Sequence, residues 1–185
     1  MTLTGSMASG LSGAFMLARG RADGFARVET DMAGAARSFW AAAIALPALL
    51  ALRLIDWMAR GMPTAPGHAL ALELLVFIVG WSGYAVLSRG LVAAMGRAAR
   101  WPGYIAVWNW CNVVQYALLL AASIPVLLRA PAPVQEVSEL VALGWALWLE
   151  WFATRIALDV PGVAAAGLVA LDMSIGILLT GLAGL

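Results

Sequence analysis

Five long apolar stretches divide the chain, at about residues 38–58, 68–87, 102–128, 137–158 and 162–182, separated by short segments rich in Pro, Gly or Arg. Each is close to the ~20 residues a helix needs to cross a bilayer core. The pattern predicts an all-α, polytopic membrane helix bundle with five transmembrane helices over 38–185, preceded by an N-terminal amphipathic arm over 1–37. In the arm, Asp23 is placed to cap a helix whose Phe25, Val28, Met32 and Ala36 recur at i, i+3, i+7 and i+11 on one face. That stripe predicts a helix lying on the cytoplasmic membrane surface; a short cytosolic helix packed on its own loops is the alternative. Trp40 and Trp57 bracket the first span ~25 Å apart at helical rise, as interfacial belts do. Pro47 inside it predicts a kink, because the carbonyl of Ala43 loses its donor.

The polar residues inside these apolar stretches carry the functional signal. Asp159-Val160-Pro161-Gly162 marks a tight turn between the last two spans. Glu150 and Asp172 stand about eleven residues either side of it, which places both ~16 Å from the turn. Two acids level with each other near a bilayer midplane are costly, and so they are the leading functional candidates. The same reflection about Pro63 pairs Arg53 with Glu73, read as a structural ion pair at the membrane edge. Asn109, Asn112 and Tyr116 fall at i, i+3 and i+7 on the third span, either as interhelical hydrogen-bonding groups or as the lining of a solute path. On the fourth span Arg155 shares a face with Trp148 and Trp151, where it can lie on an indole ring or reach the interface. Glu150, Asp172, Asn109, Asn112 and Arg155 form the candidate intramembrane polar core. Gly162, Ala165, Val169, Asp172, Gly176 and Thr180 make a mostly small stripe on the last span, suited to close packing against the fourth span or a second copy.

Composition narrows the class. Of 185 residues 63% are hydrophobic and only 11% charged, which excludes an ordinary soluble domain. All eleven basic residues are Arg, and their distribution predicts the threading. Eight (Arg19, Arg21, Arg27, Arg37, Arg89, Arg97, Arg100 and Arg155) fall on one side of five spans and three (Arg53, Arg60 and Arg129) on the other. By the positive-inside rule the N-terminus is cytoplasmic and the C-terminus outside, in a bacterial inner membrane. The start of the chain lacks the charged region of a secretory signal and is read as retained.

One cysteine, Cys111, and one histidine, His68, leave no cysteine cluster and no metal or cofactor site to assemble. No phosphate loop, HExxH or nucleophile with a nearby His occurs, so an enzyme is the least favoured class. The basic residues are accounted for by topology, which leaves no nucleic-acid face. The expected partners are the lipid bilayer and either a protein partner or further copies of the chain. Two functions remain: a non-enzymatic membrane-organising or partner-binding protein, the favoured one, and a proton-coupled small-solute transporter using Glu150 and Asp172.

A polar arm, Met1 to Arg37, then five closely spaced spans and a tail of only Ala183 to Leu185, resembles the layout of Yip1-type membrane proteins. The resemblance is architectural and covers the whole chain; it implies membrane organisation or partner binding, and transfers no residue role. Trp108-Asn109-Trp110 does not reproduce the motif pattern of the Trp-rich, five-span TspO-type proteins.

Overall fold

Among residues 3–184, which the computed structural model describes, the α-helices are α1 (Leu3–Leu17), α2 (Met32–Ser38), α3 (Trp40–Arg60), α4 (Pro66–Ala94), α5 (Trp101–Ala122), α6 (Ile124–Leu127), α7 (Ala132–Leu158) and α8 (Gly162–Ala183), with no strand. Five segments are long and apolar enough to cross a membrane: Met32–Arg60, Pro66–Ala94, Ala98–Leu127, Ala132–Leu158 and Gly162–Ala183. Proline opens α4, α5, α6 and α7 within their first two positions, where a missing N–H breaks no helical bond. The α7–α8 turn is closed by Asp159 in the left-handed conformation (φ 53°), its N–H bonded to the Arg155 carbonyl at 2.9 Å. Asp tolerates that conformation better than most side chains. Its carboxylate lies 3.3 Å from Arg100, and Arg97 donates to its carbonyl at 2.9 Å, so the α4–α5 and α7–α8 connections are tied at the arginine-rich end.

Helix α5 is the centre of the bundle. It packs against α1, α2, α3 and α7 and more lightly against α4, and every residue from Gly103 to Cys111 is buried. Helix α8 is peripheral, held by α4 and α7. Its Ala165, Leu168 and Val169 are buried, whereas Ile177 and Leu182 are 70% and 77% exposed. The small stripe of the last span therefore packs only over its first half, and Gly176 meets nothing within 4 Å of where a Cβ would stand. A strict three-four spacing drifts round the helix; from Leu171 onward the packed side passes to Leu171 and Ile175.

The arm departs from its predicted form. Asp23 caps no helix; it pairs with Arg21 at 2.7 Å. Ala22–Arg27 is a 3-10 turn, Val28 is extended, and the next helix starts after Asp31, whose side chain accepts the Gly34 N–H at 2.6 Å. Phe25, Val28, Met32 and Ala36 thus share no helix face: Val28 is buried and Met32 is 58% exposed. The helix of the arm is α1, which buries Ser6, Gly10, Gly13, Ala14 and Leu17. Small residues make this possible. The Trp110 indole occupies the space a side chain at Gly10 would fill, and a Cβ at Gly13 would stand 2.6 Å from the Gly24 carbonyl oxygen.

Further differences are local. Phe39 separates α2 from α3 within the first span, and Pro47 lies inside α3. The third span breaks after Ala122, at Ser123 and Pro125. The fourth begins at Ala132 rather than Val137.

Candidate functional site: an acid pair inside an aromatic cluster

Glu150 on α7 and Asp172 on α8 face each other within the bundle, and the Trp108 indole of α5 lies against both. Glu150 is 5% exposed and Asp172 half-buried. The antiparallel hairpin brings them level because each stands nearly the same number of turns from the middle of the Asp159–Gly162 turn. Among the described residues no Arg or His forms an ion pair with either acid. Trp108 Nε1, Glu150 Oε1 and Thr154 Oγ1 are buried without a well-aligned hydrogen bond, Trp108 lying against both carboxyls and Thr154, one turn from Glu150 on the same face of α7, against Tyr104.

Aromatic side chains wall the site toward α4. Trp108 stacks on Tyr84 with centroids 4.5 Å apart and meets Trp81 edge-on at 5.4 Å. The hydroxyls of Tyr84 and Tyr104 bond to each other, and Tyr84 also reaches the Leu168 carbonyl of α8 at 3.4 Å. Both tyrosines are fully buried, so each phenol needs its partner. Large rings between α4 and α5 hold those two helices apart and fill the gap.

The other sequence candidates separate from this pair. Asn109 is buried and fully bonded: its carbonyl accepts the Trp81 indole N–H at 2.6 Å, and its amide donates to Ser38 Oγ at 2.7 Å. Ser38 in turn donates to the Ala35 carbonyl at 2.6 Å, so Asn109 clamps α2, α4 and α5 together. Asn112 donates to the Trp108 carbonyl of its own helix at 3.0 Å and crosses to no neighbour. Tyr116 meets the edge of Phe77 on α4, with centroids 6.0 Å apart. The i, i+3, i+7 stripe is thus divided among different neighbours. Gln115, one residue before Tyr116, makes the bond to α7, donating to the Ala146 carbonyl at 2.8 Å.

Arg155 does not enter the polar core. It is exposed, with its guanidinium 4.7 Å above the Trp151 ring, because one residue of helical rotation turns it away from the Glu150–Thr154 face. Arg53 and Glu73 form an ion pair of 2.5 Å at the other end of the bundle, joined by Asp56, which Arg60 also contacts at 2.9 Å. Sequence reading left Tyr84, Tyr104, Trp108 and Thr154 out of the site. A usable signal existed: a Tyr within an apolar span must find a partner, and Tyr84 and Tyr104 are equidistant from Ala94.

Chemically, two facing carboxyls with no cation beside them and an indole N–H against both can hold a proton. They offer no positioned electrophile or nucleophile. Comparison with protein families, curated proteins and solved structures finds no match.

Proposed function

We propose that this is a non-enzymatic membrane protein that couples passage of a small solute to a proton held between Glu150 and Asp172. The observation that supports it is the contrast between the chain's two intramembrane acid sites. Glu73 has its arginine, whereas Glu150 and Asp172 have each other and the Trp108 indole, with no cation. Buried charge kept only for architecture is matched, since an unmatched buried group costs several kcal/mol. The groups that face the pair are Tyr84 from α4, Tyr104, Trp108, Cys111 and Tyr116 from α5 and Thr154 from α7, none of them basic. A proton suits so enclosed a site, and the half-buried Asp172 is its route of exchange. Peripheral α8, held by two helices, is the element free to move when the charge changes.

The test uses the full chain in proteoliposomes with an entrapped pH dye and an imposed pH gradient, with and without pooled small polar solutes. Asp172→Asn and Glu150→Gln are each expected to lower solute-dependent proton flux at least tenfold while the protein still inserts and accumulates. Unchanged flux in both variants ends the proposal.

A second reading, membrane organisation or partner binding, is favoured by α1. One side of α1 is seated on the bundle while Leu3, Leu11 and Phe15 stay exposed, as on a helix that lies along a membrane. Under that reading the acid variants are silent, and Leu11→Glu with Phe15→Glu removes function. On either reading we place the protein in a bacterial inner membrane, N-terminus cytoplasmic and C-terminus outside; the eight-to-three division of arginines supports this.

A further inference from the structure

An open, largely apolar groove of about 890 Å³ lies between α1 and α5, with Trp145 of α7 closing one side. Leu11 and Phe15 line it from α1, Ala117 and Leu118 from α5. The α5 wall belongs to a membrane-crossing segment, so whatever fills the groove must be apolar along most of its length. At one end stands Arg19. It is exposed, its guanidinium lies 4.4 Å above the Phe15 ring, and among the described residues it has no carboxylate partner. Two residues on, the Arg21–Asp23 pair is 60% exposed on both side chains, which marks this end of the groove as the hydrated one. From Arg19 to Arg27 the chain carries three arginines and one aspartate, a local charge of +2.

We infer that the groove is a binding site for an anionic phospholipid, with one acyl chain lying between α1 and α5 and the headgroup phosphate on Arg19. Hydrocarbon length and an unpaired guanidinium at the wet end match the two halves of such a molecule, and ring contact with Phe15 holds the arginine in place. A neutral lipid shares the apolar half alone. Basic side chains at a membrane boundary favour anionic headgroups, each by a factor of about five. This site lies on the α1 side of α5 and stands independently of the acid pair.

The experiment is native mass spectrometry of the full-length protein purified from vesicles of equal phosphatidylglycerol and phosphatidylcholine, with retained lipid counted as detergent is exchanged. Wild-type protein is expected to keep about one phosphatidylglycerol and little phosphatidylcholine. Arg19→Gln should reduce retained phosphatidylglycerol about fivefold without changing phosphatidylcholine. Ala117→Phe, which fills the groove, should reduce both. Should Ala117→Phe fail to accumulate, Leu118 replaced by a photoreactive residue gives the same answer: crosslinking to lipid supports the site. Equal retention of both lipids by wild type and Arg19→Gln overturns the inference, as does crosslinking of Leu118 to a second copy or to another protein.

Discussion

Asn109 and Asn112 show how little residue type says about role inside a membrane. Both amides sit on one helix three positions apart, yet the first joins three helices and the second only caps its own backbone. Removing a partner from a buried, fully bonded group leaves the remaining donor unpaired, at a cost of about 1–3 kcal/mol. Asn109→Ala strands the Trp81 N–H and Ser38, so it should lower thermal stability in detergent by that amount. Asn112→Ala should cost under about 0.5 kcal/mol, since its donor leaves a backbone carbonyl that the helix already satisfies. Equal losses would contradict the assignment of Asn109 as the clamp. The same contrast separates Glu73, matched by Arg53, from Glu150, which is not matched by any base.

At the level of elements, α1 is held by small-residue contact, by Ser9 Oγ donating to the Arg27 carbonyl at 2.6 Å, and by a charged tie. Ser6 Oγ donates to Glu29 Oε2 at 2.7 Å, and Arg37 donates to the same oxygen through Nε at 2.9 Å and Nη2 at 2.7 Å. The Ser6 hydroxyl first, and the Arg37 guanidinium next, hold the Glu29 carboxyl below its ordinary range. A lowered carboxyl value means the tie is complete above the ordinary carboxylate range and is lost as pH falls through the lowered folded value. Glu29→Gln should therefore cost about 1 kcal/mol at pH 7 and almost nothing once the wild-type carboxyl is protonated. Melting curves of both proteins at pH 7 and pH 3 check this. A gap that stays constant with pH would show that the charge plays no part. The small residues of α1 have a separate task, since Gly10 admits the Trp110 ring and Gly13 lets the chain at Gly24 approach.

For the whole molecule, the ends of the bundle differ in charge. Arg97 and Arg100 meet Asp159 at one end, and Arg53 and Arg60 meet Asp56 and Glu73 at the other. If the arginine-rich end is cytoplasmic, single cysteines at Gly96 and Asp159 in a Cys111→Ser background should resist a membrane-impermeant thiol reagent in intact cells. A cysteine at Thr64 should react. The reverse pattern would invert the topology and move the Arg19 end of the α1 groove to the outer face.

Much of the arrangement can be read along the chain by reflection through a turn. Arg53 mirrors Glu73 about Pro63, and Glu150 and Asp172 lie almost evenly about the Asp159 turn. The same operation near Ala94 and Met95 matches Tyr84 with Tyr104, Trp81 with Asn109 and Ser88 with Trp101, all of which bond. Depth is legible because helices rise uniformly and consecutive spans are antiparallel. Facing is less so. Arg155 and Glu150 are both polar residues of one apolar helix, and only the neighbours tell which of them turns inward.

From the sequence by itself follow the five apolar spans, the helical class, and the depth of each polar group along its helix. The tertiary structure alone decided that α5 is the hub, that α1 rather than a Phe25–Ala36 helix is the element of the arm, and that Asn109 serves α2 and α4. The reason is physical. Lipid is as apolar as a protein core, so hydropathy records how long a helix must be but not which side meets a neighbour. That choice is made by fit, a Trp ring over a glycine or an indole N–H on an amide oxygen, between residues up to a hundred positions apart.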